Sequence, residues 1–419
     1  MEDKIRDSIN KPEILEKLYR DDRKSFKSVF EKIYPEIANT GMAEFWKSRL
    51  DFDKKSDKIN FFSGSDILVI IVVCLLAGFL IKIPDIFNIK LTSFFFYEKN
   101  AGIIVFFGLT LYAIWINRNF NHKSLVIIIP IFVVSIVYIN LLPSVRESAS
   151  INLVYIHMPL LMWCIYGLAF INFDLNDKNK RIEFIRHNGD LAILGAIILI
   201  AGGALTWITI GLFHTIGINI EKFYFNNIVL VGLVSAPVVT AFIIRNFKTL
   251  TNKIAPIVAI IFSPLVLLTL VIYLIAIVFA AKDPYNDRNF LLIFNVMLIG
   301  VLCIIVFSIS ETSLNREQKF NKMVLFILST ITLIVNIIAL SAIFYRLGRF
   351  GLTPNRLAIL GSNILIFGNL ILIMIDLFKI NFRKSEFDKV EMTISKYLPV
   401  YLLWILIVIF GFPLFFGIK

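Results

Sequence analysis

The sequence predicts an all-α fold: a polytopic bundle of about eleven membrane-spanning helices, preceded by a small N-terminal cytoplasmic helical segment. The 419 residues are 58% hydrophobic and only 17% charged, and the mean hydropathy is +0.80. The apolar residues also form runs of roughly 20, the length at which an α-helix crosses the hydrocarbon core of a bilayer. Soluble chains average about 25% charged residues, so the composition argues against a water-soluble globular protein.

Residues 1–64 form the first predicted domain and differ from the rest of the chain. They hold 14 Lys and Arg and 13 Asp and Glu, and their apolar residues recur at helical spacing. The helical stripes consist of Ile14, Leu15, Leu18, Tyr19, Phe26, Val29, Phe30, Ile33 and Ile37, followed by Phe45, Trp46, Leu50 and Phe52. Because about sixty residues provide little core, we expect this segment to dock on the membrane or on cytoplasmic loops. It is also the candidate binding region for a cytoplasmic protein partner.

Residues 65–419 form the second predicted domain, the transmembrane helical domain, whose main partner is the lipid bilayer. Its apolar runs lie at about 66–83, 101–117, 124–143, 150–171, 190–214, 226–245, 254–281, 289–310, 322–345, 355–378 and 397–417. With the N-terminus in the cytoplasm, eleven crossings place the C-terminus on the other side of the membrane.

The distribution of basic residues supports this orientation. Beyond residue 64, the predicted cytoplasmic loops hold 17 Lys and Arg and the opposite side holds 11, as the preference of basic residues for cytoplasmic loops requires. The formal charge of +12 therefore does not form one basic surface. We expect no nucleic-acid partner.

The strongest local signal is the segment YRLGRFGLTPNR from Tyr345 to Arg356, between the ninth and tenth predicted helices. Gly348 or Gly351 can adopt the left-handed conformation that closes a helix. Thr353 is a typical N-cap residue, and Pro354 suits the first position of a helix. We call this segment the arginine turn, and its sequence predicts a tight connection.

Arg346, Arg349 and Arg356 lie in this turn on the side that the orientation rule leaves poor in arginine. Arg356 also falls in the first turn of a helix, where the helix dipole disfavours a cation. One interpretation is that the three arginines and Thr353 bind an anion, which would be a lipid phosphate or a small anion. The alternative is structural: the arginines pair with Asp283, Asp287 or Glu147, or extend to lipid headgroups.

The arginine turn also resembles the signature of an uncharacterised bacterial family of polytopic inner-membrane proteins, domain of unknown function 4153. The likeness extends to the LVYIHMPLLMW helix around His157 and to the stretch from Pro256 through Pro264, with Asp287-Arg288 beyond it. It covers most of residues 66–378. The resemblance implies a multi-helix membrane protein of bacterial origin, and it implies no activity or catalytic residue. With the predicted orientation, it leads us to expect a bacterial inner membrane as the location, with the C-terminus in the periplasm.

His157, His214 and Asp287 are secondary candidates. Ionisable residues at membrane depth are often functional, but each histidine can instead donate to a backbone carbonyl freed by Pro159 or by a helix end. The polar residues Asn336, Ser362, Asn363 and Asn369 are expected mainly to join helices through hydrogen bonds. Asp376 is expected to pair with Lys379 three residues on.

These observations favour a protein that binds or moves an anionic lipid or small anion. A non-catalytic scaffold or sensor that recruits a partner through residues 1–64 is the first alternative. A membrane enzyme acting on a lipid-linked substrate, with His157 or His214 as base, is the second. The sequence contains no P-loop, no HExxH and no GxSxG motif, so enzyme activity is the least supported class. We predict neither a metal site nor a cofactor.

Overall fold

The computed structural model describes residues 2–38, 40–57, 64–88, 95–117, 122–145, 147–215, 219–279, 288–312, 319–383 and 385–417. It is 89% helical, and the described residues contain no strand. The predicted all-α class is confirmed. The chain divides into two compact units, Met1–Ile67 and Leu68–Lys419.

The first unit contains four helices: α1 Glu2–Asp7, α2 Pro12–Asp21, α3 Arg23–Ile37 and α4 Gly41–Asp57. Proline begins α2, and the Asp22 carboxylate caps α3 by accepting a hydrogen bond from the Ser25 amide at 3.0 Å. The apolar stripes of these helices face one another. They form a core of nine buried residues: Ile5, Leu15, Tyr19, Phe26, Phe30, Ile33, Ala43, Trp46 and Leu50.

Aromatic rings dominate this core. The Trp46 ring centroid lies 5.1 Å from that of Phe26 and 5.5 Å from that of Tyr19, and the Arg49 guanidinium stands 4.8 Å from the Trp46 centroid. The expectation that this segment has little core of its own was therefore wrong. Short amphipathic helices that bring their apolar faces together around large rings can bury a core despite the short chain.

The second unit consists of helices that run back and forth along the bundle, each built on an apolar run. They are α5 Gly64–Ile81, the short α6 Ile83–Ile86, α7 Phe96–Ile116, α8 His122–Leu141, α9 Ala149–Phe170, α10 Lys178–Thr215, α11 Glu221–Asn246, α12 Lys248–Phe279, α13 Arg288–Thr312, α14 Lys319–Phe350, α15 Pro354–Phe382 and α16 Asp388–Phe416. All eleven predicted spans fall on these helices. Two π-helical turns interrupt the pattern, Phe225–Val229 in α11 and Ile407–Gly411 in α16.

Within the described residues, eight helices are long and apolar enough to cross a membrane: α7, α9, α10, α11, α13, α14, α15 and α16. The apolar parts of α5, α8 and α12 are shorter, at Ser65–Ile81, Val126–Leu141 and Val258–Ile272. The prediction of about eleven spans is thus compatible with the structure. The long apolar helices identify a multi-pass membrane protein whose environment is a lipid bilayer.

Contacts between the helices define two ends of the bundle. The start of α9 meets the end of α16, where Ser150 Oγ donates to the Gly417 carbonyl at 2.7 Å, and Ala358 at the start of α15 packs against the last turns of α16. We call this the arginine end, because α14 ends and α15 begins there. At the opposite end the starts of α10 and α16 meet, and Ser395 Oγ donates to the Lys178 carbonyl at 3.1 Å.

Candidate functional site

In the arginine turn, a glycine closes one helix and a threonine caps the next. Helix α14 continues through Gly348 to Phe350, and Gly351 takes a φ of 74° while its amide donates to the Leu347 carbonyl at 3.0 Å. Of the two glycines that the sequence left open, Gly351 is the one that closes the helix. Thr353 is in extended conformation and its hydroxyl oxygen accepts from the Arg356 amide at 3.4 Å, so the predicted N-cap is confirmed.

All three arginines surround one aromatic ring. The guanidinium carbons of Arg346, Arg349 and Arg356 lie 5.8, 5.3 and 5.4 Å from the Phe350 ring centroid. These are cation–π distances, and the Phe350 side chain is 49% exposed. The turn therefore brings three positive charges together around a partly open apolar surface.

Arg356 has a structural role that accounts for its place in the first turn of α15. Its Nη1 donates to the carbonyls of Phe350 and Gly351, both at 2.7 Å. Those carbonyls close α14, and the carboxyl end of a helix favours a cation. The dipole of α15 disfavours Arg356, but the guanidinium extends to the end of the preceding helix and stabilises it.

Arg349 and Arg346 differ in their environments. Arg349 is exposed, and its Nη1 donates to the Tyr345 hydroxyl at 3.0 Å. Arg346 is half-buried, and its Nη1 is a buried donor with no hydrogen-bond acceptor among the described residues. An unsatisfied buried donor costs about 1–3 kcal/mol, and more when the group is charged. An anionic group beside Arg346 would remove that cost.

The structural alternative for these arginines can be checked only at Glu147. Among the described residues, no carboxylate lies within 4.0 Å of a guanidinium nitrogen of Arg346 or Arg356, and Glu147 pairs with neither. Asp283 and Asp287 lie outside the described residues, so the pairs predicted with them stay predictions. The cap that Arg356 places on α14 is a structural role that the sequence did not predict.

The two histidines do not join the arginine turn through any contact of the described residues. His157 Nδ1 lies 2.8 Å from the Leu153 carbonyl, one turn earlier in α9. It therefore contacts a backbone carbonyl, as the structural interpretation expects, but not the Tyr155 carbonyl that Pro159 frees. His214 is exposed in the last turn of α10. The described residues contain no group of three or more His, Cys, Asp or Glu side chains that could hold a metal ion.

The predicted hydrogen bonds between helices are confirmed. Asn336 Nδ2 on α14 donates to the Asn363 carbonyl on α15 at 3.4 Å, and Asn363 Nδ2 donates to Asn295 Oδ1 on α13 at 2.5 Å. Asn369 Nδ2 donates to the Tyr401 hydroxyl on α16 at 2.9 Å. The polar residues of α14 and α15 thus join four neighbouring helices.

Sequence reasoning missed an ion-pair cluster at the opposite end of the bundle. Arg186 Nη2 on α10 donates to the Ser310 carbonyl at 2.6 Å, and its Nε lies 3.4 Å from Glu311 Oε1 on α13. Glu391 Oε1 on α16 is 3.8 Å from Arg186 Nη2. Arg186 was counted only as a loop charge, because its partners are more than a hundred residues away in the sequence. The predicted Asp376–Lys379 pair is also present: on α15, Lys379 Nζ lies 3.8 Å from Asp376 Oδ1.

Comparison with known proteins adds no relative. The chain matches no protein-family model, no curated protein and no solved structure. A function for the candidate site therefore has to be inferred from its geometry.

Proposed function

We propose that this protein binds an anionic group at the arginine turn, either the phosphate of a membrane lipid or a small anion. The observation that carries the proposal is the convergence of Arg346, Arg349 and Arg356 on the Phe350 ring, with a buried Arg346 donor for which the described part of the chain provides no acceptor. Guanidinium groups bind phosphates and carboxylates through paired charge-assisted hydrogen bonds. The exposed Phe350 and Leu352 side chains would contact the apolar part of a lipid.

A bacterial inner membrane is the proposed location, with the N-terminus in the cytoplasm. The excess of basic residues in one set of loops supports this orientation, and it places the arginine turn on the periplasmic side. The resemblance of the turn to domain of unknown function 4153 supports the bacterial membrane. Movement of the bound anion across the membrane is the extended form of the same proposal.

Two ligand sources can be separated in one experiment. The full chain is reconstituted in nanodiscs of phosphatidylcholine alone or with phosphatidylglycerol, and inorganic phosphate is titrated into each. Binding to the turn should appear either as retention of phosphatidylglycerol in native mass spectra or as saturable phosphate binding. A charge-assisted hydrogen bond contributes about 1.5–3 kcal/mol, so Arg346→Gln should lower the affinity at least tenfold.

Arg383→Gln is the matched control. Arg383 follows α15 at the opposite end of that helix, is exposed, and stands 5.9 Å from the Phe378 ring, so it repeats the arginine–phenylalanine contact without the convergence. If Arg346→Gln changes only the yield of folded protein, or if both variants bind alike, the arginines anchor the loop and the proposal fails.

A second candidate function is supported by the first unit of the chain. Because Met1–Ile67 is compact and has its own core, it can serve as a folded module that recruits a cytoplasmic protein partner. Deletion of residues 1–57 separates the two functions. A partner complex should then dissociate, whereas anion binding at the arginine turn should persist.

A further inference from the structure

A cavity of about 350 Å³ lies at the end of the bundle opposite the arginine turn. Its volume falls in the lower part of the range typical of small-molecule sites. The residues that line it include four with aromatic rings: Tyr112, Tyr166, Phe170 and His187. The Tyr166 hydroxyl shares a 2.7 Å hydrogen bond with His187 Nε2, and the His187 and Phe170 rings stack at 4.9 Å. These contacts fix the aromatic walls in place.

The lining of the cavity holds one basic and one acidic side chain. Lys180 and Glu183 line it one turn apart on α10, and Lys180 Nζ is 2.8 Å from Asp174 Oδ2 and 3.9 Å from Asp177 Oδ2. The hydrogen bond from Lys180 lowers the pKa of the Asp174 carboxyl, so that carboxyl is ionised at neutral pH. Glu183 is exposed and forms no ion pair with another described residue. Lys180 is therefore balanced by Asp174, and Glu183 is left as a carboxylate of the lining without an ion-pair partner among the described residues.

Helix ends and one side-chain amide add acceptor character. Helices α7 and α9 end at the cavity, and the carboxyl end of a helix carries a partial negative charge. Asn117 directly follows α7 and is a lining residue. Its Nδ2 donates to the Ala169 carbonyl at 2.9 Å, which leaves its Oδ1 as an acceptor. Aromatic walls, the Glu183 carboxylate and acceptor dipoles favour a cation that is only weakly hydrated.

We propose that this cavity is a binding site for a small organic cation of the alkylammonium class. Its aromatic walls contact the methyl groups, and the Glu183 carboxylate balances the charge. The site is separate from the anion site at the arginine turn and has the opposite charge preference. Such a cation occurs both as a free solute and as a lipid headgroup, so the test has to distinguish these sources.

Choline and its uncharged isostere 3,3-dimethylbutan-1-ol are the probes for a calorimetric titration of the full chain. In nanodiscs of phosphatidylglycerol, choline should bind and the isostere should bind at least tenfold more weakly, since the two differ mainly in charge. Equal affinities, or no binding of choline, would overturn the proposal. The comparison uses the unchanged protein and therefore does not depend on how a variant folds.

Two variants locate the site. Phe170→Leu should weaken choline binding roughly fivefold to thirtyfold, the range expected for loss of a cation–π contact. Glu183→Gln should weaken it about twofold to fivefold, because the charge is exposed. Glu98→Gln, which removes an exposed carboxylate at the other end of α7, is the control and should bind choline normally. An equal effect of Glu98→Gln and Glu183→Gln would contradict the assignment.

The source of the cation follows from a change of lipid. If the headgroup of phosphatidylcholine is the occupant, nanodiscs of that lipid should compete with added choline and raise its apparent Kd. If the occupant is a free solute, the Kd should be the same in both lipids. Either result is compatible with an alkylammonium site, and binding of choline only to the Phe170→Leu variant or to neither protein would refute it.

Discussion

Replacement of Phe26 by alanine should unfold most of the first unit when that unit is produced alone as residues 1–67. Phe26 is fully buried, and its ring centroid lies 5.1 Å from that of Trp46 and 5.6 Å from that of Tyr19. Truncation of a buried phenylalanine costs about 3–5 kcal/mol. A unit of this length has a free energy of unfolding of roughly 3–10 kcal/mol, so the substitution removes a large part or all of it.

Phe45→Ala provides the matched control. Phe45 is the neighbour of Trp46 in the sequence, but its side chain is 57% exposed, and surface substitutions usually change stability by less than about 0.5 kcal/mol. The two variants lose the same atoms, so the difference between them measures burial. We expect a gap of roughly 3 kcal/mol between their free energies of unfolding.

Urea unfolding followed by fluorescence measures this gap, since Trp46 is the sole tryptophan among residues 1–67. The unchanged fragment should show one cooperative transition, Phe45→Ala should show nearly the same one, and Phe26→Ala should begin partly or fully unfolded. A fragment without a cooperative transition would show that the core in residues 1–67 does not suffice for folding. Equal midpoints for the two variants would refute the burial argument itself.

Further predictions concern the turn, acidity and orientation. Gly351→Ala should destabilise the full chain by about 1–2 kcal/mol, because the residue has a φ of 74°. Gly348→Ala should stabilise it by about 0.5–1 kcal/mol, because Gly348 lies within the helix. Neither added Cβ meets an atom within 4 Å, and denaturant unfolding in detergent measures both effects. Hydrogen bonds from Arg20 and Arg49 lower the pKa of the Glu16 carboxyl below its ordinary value of 4.5. Their contribution to the stability of the first unit is therefore fully present above pH 4.5 and is lost as the pH falls through the lowered pKa. Acid unfolding of residues 1–67 should accordingly be less steep for Glu16→Gln. A C-terminal alkaline phosphatase fusion should be active and a C-terminal green fluorescent protein fusion dark, and the reverse pattern would place the C-terminus in the cytoplasm.

Local sequence patterns predicted the helices and the caps of the arginine turn well. A run of roughly 20 apolar residues in a membrane has one stable conformation, because every backbone polar group has to be satisfied within the segment. Thr353 and Pro354 act within one turn of their own positions, and their roles follow from their side chains alone. Such features depend on residues that are close in the sequence.

Features that depend on distant residues were not accessible. The core around Trp46 requires four helices to close on one another, and the ion pair between Arg186 and Glu311 joins α10 to α13. The cavity is lined by parts of α7, α9, α10 and α11. No periodicity within one helix reports such contacts, because helix packing selects among many possible neighbours.

Arg356 shows how a conflict in the sequence is resolved by the fold. Considered within α15 alone, a cation in the first turn opposes the helix dipole and suggests a ligand. The structure instead directs its Nη1 to the two carbonyls at the end of α14, so this residue needs no anion to justify its position. The same geometry holds Arg356 beside Phe350, where Arg346 and Arg349 also converge. The cap therefore fixes one charge of the cluster, and the Arg346 donor, which has no acceptor among the described residues, is the group to which the proposed anion would bind.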